Sequence, residues 1–497
     1  MHINPVILPA LLWLYTISGI TAMPIGTPDL SHCQPFSNET NCCIINSTNI
    51  VDFKLPDKPP ETLRVRPAAH LVDKEYILKY ANATKLMKSL PFNHPWNFIQ
   101  QANVHCAYCD GIYNQSNFPN MTLEVHGSWL FFPWHRMYLH FHEKILGKLI
   151  GDENFTLPFW NWDSAEGMEI PSMYTDANSS LFDNTRWKNH KPPNILNYGF
   201  LDGRSNNNMT RQIEANLRVM YRIMVSGAKT TELFLGGPYR AGDDESSSAG
   251  SVEIEAHSYI HLWTGDDMSS FTTSARDAIF YAHHSNIDRM WELWKGLPGG
   301  KRSSYNDTDW LDSAFLFWDE NLQLVRIRVR DVVDTKMLGY VYQEVPIQWL
   351  STPPKVRDGE EMSSAFSLVE LPVMLDSAVN INVELPERKM ESMEEVLVVD
   401  GIEFDARVHV VFDVYVGGSG TSRKAFAGRF DHVPVKKWKK GAIGTLLVRK
   451  RLVLGLTDLV EELRLERGGR ALVTLIPRSD RGVMKVKVGA ISVQLST

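Results

Sequence analysis

His257 and His261 stand four residues apart, one helical turn, so both imidazoles project from one face and can bind a single metal ion. Alone, such a pair is more often two hydrogen-bonded core or surface histidines. A third histidine, His284, strengthens the case; it comes from the segment Phe280-Tyr281-Ala282-His283-His284-Ser285-Asn286-Ile287-Asp288-Arg289-Met290-Trp291. A second set lies upstream: His105 in His105-Cys106-Ala107-Tyr108-Cys109, then His126, then His135 in Ser128-Trp129-Leu130-Phe131-Phe132-Pro133-Trp134-His135-Arg136. Six histidines in two triads, flanked by aromatics and with no acidic residue at a matching spacing, suit coordination by neutral imidazole. Two all-nitrogen sites favour copper over zinc, because hydrolytic zinc pairs usually include bridging carboxylates and an aromatic-lined nitrogen pair suits O₂ chemistry.

Helices must carry most of these ligands. Pro133 suits a first helical turn and Gly151 stands just past an end, so one helix is expected over 133–149. A second is expected over 251–263, stopped by Thr264-Gly265-Asp266-Asp267, and a third over 274–295, with Gly296 and Pro298 beyond it. From about residue 61 to 296 the pattern is helices joined by long Asn- and Pro-rich loops. Residues 346–392 are rich in Pro, Ser and charge, including Pro353-Pro354-Lys355-Val356-Arg357-Asp358-Gly359-Glu360-Glu361, and read as an exposed linker open to proteolysis. Beyond it the period becomes two, at 396–400, 408–416, 444–454, 471–477 and 483–495, which predicts an antiparallel β-sandwich over 393–497. The basic run 436–440 reads as a solvated strand edge protected by lysines rather than an anion site.

With 497 residues, 43% of them hydrophobic and 22% charged, the chain can bury a large core in two or three domains. A net charge of −7 gives no electrostatic reason to expect nucleic acid or an anionic membrane as partner. One apolar run, residues 3–22, is interrupted by Pro5 and Pro9 and reads as a signal peptide over 1–22 instead of a membrane span. Acceptor sequons at Asn38, Asn46, Asn82, Asn114, Asn120, Asn154, Asn178, Asn208 and Asn306 exceed chance and point to N-glycans. Both features imply the secretory route, ending in the vacuole or extracellular space rather than the plastid. Five cysteines leave one without a disulfide partner.

In chain order, residues 105–109, 126–143 and 282–291 resemble the two copper-binding regions of plant polyphenol oxidases, the catechol oxidase and tyrosinase family. Downstream, Asp309-Trp310-Leu311, Asp312-Ser313-Ala314-Phe315-Leu316-Phe317, Leu338-Gly339-Tyr340-Val341-Tyr342 and Phe412-Asp413-Val414-Tyr415-Val416 extend the likeness over nearly all of the chain. The resemblance implies a mainly α, four-helix-bundle dicopper domain over 23–345, followed by a C-terminal β-sandwich that shields it. His105, His126 and His135 would bind the first copper ion, and His257, His261 and His284 the second. His283 would face the substrate cavity. Cys109 would be joined to His126 by a thioether; the alternative for Cys106 and Cys109, a redox or zinc pair, lacks a second such pair in the chain. The other four cysteines would form disulfides Cys33–Cys43 and Cys42–Cys106.

The implied activity is oxidation of o-diphenols to o-quinones with reduction of O₂ to water, latent until a protease removes the C-terminal domain. Phe271 corresponds to a residue overhanging the second copper, with an ordinary core aromatic as the alternative. Glu253, one turn before His257, stands where the family often has a water-holding glutamate. Ser258 follows the first histidine of the second triad and orients water less well than an amide, which favours o-diphenol oxidation over monophenol hydroxylation. His140 and His142 replace tyrosines more usual in the family and read as exposed or hydrogen-bonded helix histidines rather than extra ligands. Two other functions share this ligand pattern: a hemocyanin-like reversible O₂ carrier, and a pathway-specific oxidase of one phenolic such as a chalcone or lignan.

Overall fold

The computed structural model describes residues 23–33, 42–198, 209–244, 246–354, 366–418, 423–435, 446–478 and 485–496. The expected signal segment 1–22, the basic run 436–440 and the sequons at Asn38 and Asn208 lie outside the described residues.

Helix Phe98–Cys109 starts where the Asn97 side chain accepts from the Ile99 amide, and all but one of its residues are buried. Helix Phe131–Ile150 takes Pro133 in its first turn and ends at Gly151, whose φ of 67° a side chain rarely adopts. The 251–263 expectation is met by a helical run interrupted by a π-turn, Glu253–His257, before helix Ser258–Thr264. Such bulges rotate side chains out of strict α register and recur at functional sites. That run ends at Gly265, φ 87°, where a Cβ would sit 2.2 Å from the Trp187 ring, so only glycine permits the approach. The expected 274–295 helix begins later, at Ile279, because the Asp277 carboxylate accepts from the Ile279 amide after a short 3₁₀ turn, Ser274–Arg276.

A buried ion-pair network clamps two of these helices together. Asp288, four residues after His284, accepts from Arg136 Nε at 2.5 Å, Arg66 Nη1 at 3.2 Å and the Tyr340 hydroxyl at 2.6 Å. Arg66 also donates to Glu143 at 2.8 Å. Because Arg136 adjoins His135, the clamp sets the spacing of the helices that carry His135 and His284. Disulfides join Cys33 to Cys43 and Cys42 to Cys106, tying the N-terminal arm to the His105 helix. No helix of the described residues is long and apolar enough to cross a membrane.

The C-terminal part is two five-stranded sheets enclosing an apolar core that includes Val379, Ile381, Phe404, Phe412 and Val473. One sheet runs Lys424–His432, Val410–Gly418, Arg470–Pro477, Val379–Glu384, Ser367–Leu368; in the other, Glu394–Asp405 pairs antiparallel with Leu447–Gly455 and Ala490–Ser496. The expected linker 346–392 is therefore too long. Strand Val379–Glu384 pairs antiparallel with Arg470–Pro477 and buries Val379, Ile381 and Val383. Its flanking prolines and charges masked the alternation. Strand Lys424–His432 also went unread, since Gly428 and the polar Arg429, Asp431 and His432 interrupt its apolar pattern. Asp431 and Arg429 are buried with polar partners, so their charge does not mark solvent.

The two parts meet along the π-turn. Ile254 packs against the β core, and a Cβ on Gly428 would sit 3.0 Å from the Glu255 carboxylate. Arg222, fully desolvated, donates to the carbonyls of Ala427 and Gly455, while Arg429 donates to Tyr198 O at 2.7 Å.

Candidate dinuclear metal centre

The fold brings both triads to one buried place. Ligand atoms of His105, Cys109, His126 and His135 lie within 4.8 Å of one another, and so do those of His257, His261, His283 and His284. The His135 and His284 rings stack at 4.1 Å and 5°, so the two clusters share a wall. Around them Phe131, Trp134, Phe271 and Phe280 form an aromatic lining.

Backbone carbonyls fix the tautomers. His105 Nδ1 lies 3.0 Å from Phe271 O, His135 Nδ1 2.8 Å from Phe131 O, His261 Nδ1 2.7 Å from Met268 O, and His257 Nδ1 3.3 Å from Glu253 O. A carbonyl only accepts, so each Nδ1 carries the proton and each Nε2 keeps its lone pair. Nε2 of His105, His135 and His257 is buried with no hydrogen-bond partner, and both nitrogens of His126 are in the same state. His261 Nε2 faces His284 Nε2 at 3.2 Å, and His284 Nδ1 is buried without a partner. Burial, then neighbouring imidazoles, holds His105, His135, His257 and His284 well below the usual histidine range; burial pushes His261 down to about 3. Buried, neutral, inward-facing imidazoles at this density are otherwise costly, since each leaves an unsatisfied acceptor. Two metal ions fit them, and the nitrogen-only chemistry of the second cluster suits copper.

The remaining site residues fall around the clusters. Cys109 is a buried thiol whose pKa burial raises well above its usual value, and it sits within ligand distance of the first cluster. Glu253 is buried; its Oε1 accepts from the Gly127 amide at 2.6 Å, its Oε2 has no partner, and burial pushes its carboxyl up to about 8. Ser258 donates its hydroxyl to Glu253 O at 3.0 Å. His283 is buried against Trp162, His257 and His261, with both ring nitrogens unpartnered. Phe271 stacks on His126 at 4.4 Å and 17° and lies 6.1 Å from His105, so its ring contacts are with the first triad rather than the second. The loop between Ser270 and Ser274 turns it there through hydrogen bonds donated by the Thr273 and Ser274 amides to Ser270 O.

His140 and His142 are buried, not exposed, because helix Phe131–Ile150 is packed on nearly all sides. His142 stacks on Tyr281 at 3.6 Å with Nδ1 3.4 Å from Gln101 Oε1, and His140 packs edge-on against Phe53 and Phe141. Neither belongs to a metal-sized cluster among the described residues. The carbonyls that orient the ligands, and the Arg136–Asp288 clamp, escaped sequence reasoning. Every residue has a carbonyl, so no residue type announces that role.

Comparison with known proteins matches residues 95–297 to the common central domain of tyrosinase, 304–355 to a polyphenol oxidase middle domain, and 371–495 to a chloroplastic polyphenol oxidase C-terminal domain. Polyphenol oxidase from Malus domestica is 45% identical over 97% of this chain and 88% of its own length; aureusidin synthase from Antirrhinum majus is 44% identical over 93% and 88%. The solved structure of latent apple tyrosinase superposes with a TM-score of 0.83 at 46% identity, covering 90% of this chain and all of that one.

These relatives correct the expected address. Those from Malus domestica, Vicia faba, Ipomoea batatas and Vitis vinifera are named chloroplastic, which points to the plastid rather than the vacuole or extracellular space. The sequon asparagines 46, 82, 114, 120, 154, 178 and 306 are all exposed, Asn82 on helix Lys74–Ser89 and Asn114 and Asn120 on short strands. With its central, middle and C-terminal regions all matched, the chain belongs to the plant polyphenol oxidases, copper-dependent oxidoreductases of the tyrosinase family.

Proposed function

We propose that the chain oxidises o-diphenols to o-quinones in preference to hydroxylating monophenols, and that its β domain holds it latent until the chain is cut. The observation that carries this reading is the pair of facing histidine clusters with buried, unpartnered nitrogens. When bound, the copper pair supplies two one-electron acceptors and a binding place for O₂. Each diphenol loses two electrons and two protons, so two diphenols account for the reduction of one O₂ to water.

The chain's own groups handle binding and protons. His105, His126 and His135 would hold the first ion and His257, His261 and His284 the second. Glu253, fixed by the Gly127 amide through Oε1, leaves Oε2 to exchange a proton with the phenol directly or through water, as acceptor only in its ionised form. The Ser258 hydroxyl is committed to Glu253 O, which supports weak water orientation and hence the preference for diphenols. His283 stands within ligand distance of the second cluster with both ring nitrogens unpartnered, and the aromatic lining with Phe271 excludes water. Cys109 is near enough to His126 for the thioether to fix that ring.

Latency is supported by the packing of Ile254 into the β core and by the hold of Arg222 on β-domain carbonyls, both beside the turn carrying Glu253 and His257. The activating cut is expected within about residues 346–390, and the pairing of Ser367–Leu368 with strand Val379–Glu384 supports a position before Ser367. Limited proteolysis there, with copper analysis and a panel of mono- and diphenols that includes a chalcone, tests the reading. Two coppers per chain and faster catechol turnover after release of the β domain are expected. No gain on complete release would refute the latency, and absence of two coppers would refute the whole. The likeness to aureusidin synthase and to (+)-larreatricin hydroxylase supports including pathway-specific phenolics in that panel. An oxygenated protein that persists without turning over catechol would mark an O₂ carrier instead.

A further inference from the structure

The geometry points to Thr272 and Asp110 as positioning residues that hold two ligands of the first copper through a single loop. Asp110 caps helix Phe98–Cys109, directly after Cys109, with its amide donating to Cys106 O at 3.2 Å. Its carboxylate Oδ2 accepts from the Thr272 hydroxyl at 2.6 Å, and both residues are buried. The neighbouring residue, Phe271, does two things at once: its carbonyl receives the His105 Nδ1 proton at 3.0 Å, and its ring stacks on His126 at 4.4 Å. Ser274, on the same loop, brings its hydroxyl within 3.3 Å of His105 Nδ1.

A loop carbonyl orients an imidazole only as well as the loop itself is fixed. Helix-borne acceptors such as Phe131 O, which holds His135, are fixed by the helix ladder; Phe271 O has no such ladder. The Thr272–Asp110 bond replaces it, pinning the loop to the helix that carries His105. Ring and carbonyl of Phe271 therefore move together, and loosening the loop releases His105 and His126 jointly. His257 is held by Glu253 O and His261 by Met268 O; the loop bonds Asp267 O through the Ser270 amide and the Thr273 hydroxyl, one residue short of Met268, so the change falls first on the first copper.

The inference rests on the dicopper reading. The test is copper retained per chain against rising concentrations of a competing chelator, measured on the full chain. Thr272→Val is expected to lose one copper at about tenfold lower chelator than wild type, the scale for removing a group that orients a ligand histidine, and then to plateau at one per chain. Thr272→Ser, which keeps the hydroxyl, is expected to restore wild-type retention. In a His261→Ala background, which disables the second site, Thr272→Val is expected to weaken the copper that remains. Wild-type retention by Thr272→Val, equal loss by Thr272→Ser, or no effect in the His261→Ala background would each overturn the assignment. Should Thr272→Val fail to fold, Ser274→Ala is read in the same way: early loss of one copper supports the loop's role, and unchanged retention overturns it. Failure of the dicopper reading would look different, because wild type would then bind no copper pair at all.

Discussion

Replacing Asp288 by Asn removes one charge and little volume from the clamp between the His135 and His284 helices. The buried carboxylate accepts from Arg136 Nε, Arg66 Nη1 and the hydroxyls of buried Tyr340 and half-buried Tyr342. Breaking a buried ion pair from one side costs about 3–5 kcal/mol. The two guanidiniums keep other partners: Arg136 still donates to Val332 O at 2.9 Å and Glu292 at 2.7 Å, and Arg66 to Glu143 at 2.8 Å. The low end of the range applies, about 3 kcal/mol, or a fall in melting temperature of about 4 °C for a domain of this size. Fluorescence reports it well, since the fully buried tryptophans lie between Trp129 and Trp349. As a control, Asp152→Asn at the exposed Lys79–Asp152 pair is expected to cost less than about 1 kcal/mol. Burial pushes Asp288 up, but Arg136 and Arg66 outweigh it and leave the carboxyl below its ordinary value. A depressed folded-state pKa contributes stability that is present above the unfolded value and lost as pH falls through the folded one. The gap between wild type and Asp288→Asn should therefore be full at neutral pH and close below about pH 4. A loss under about 1 kcal/mol, or a gap that persists in acid, would refute the clamp.

Two further outcomes follow from the site. Ser258→Asn offers both a donor and an acceptor where a committed hydroxyl now stands, and is expected to raise the ratio of monophenol to diphenol turnover in the cut enzyme severalfold; an unchanged ratio would refute the role of Ser258. Digestion of copper-loaded protein is expected to yield a peptide of the His105 helix cross-linked to the His126 segment, lighter by two hydrogens than the sum, and Cys109→Ala to abolish it; separate, unmodified peptides would refute the thioether.

Chemistry-bearing residues were legible because spacing on a helix is geometry in disguise: His257 and His261 share a face wherever that helix goes. The same holds for the ends of helix Phe131–Ile150 and for the alternating strands such as Val410–Gly418. Legibility failed where a local pattern was overridden by partners far along the chain. Val379–Glu384 looked like linker until Arg470–Pro477 paired with it; of the two histidines read as exposed or hydrogen-bonded, His142 does bond Gln101, while both are buried by Phe53, Phe141 and Tyr281 from other segments and their own helix.

Sequence alone determined which side chains could bind metal, that there were two sets of them, and that a β module followed a helical one, since residue type, helical period and strand alternation are local properties. Only the tertiary structure decided that the two sets share a wall through His135 and His284, that Phe271 lies on the first set, and that Asp110, Thr272, Asp288 and four backbone carbonyls hold the arrangement. The Asp110–Thr272, Arg136–Asp288 and His105–Phe271 bonds join segments more than a hundred residues apart, so no window of sequence contains both partners; the other three carbonyls lie four to seven residues from their histidines, and only burial decides that those imidazoles turn inward.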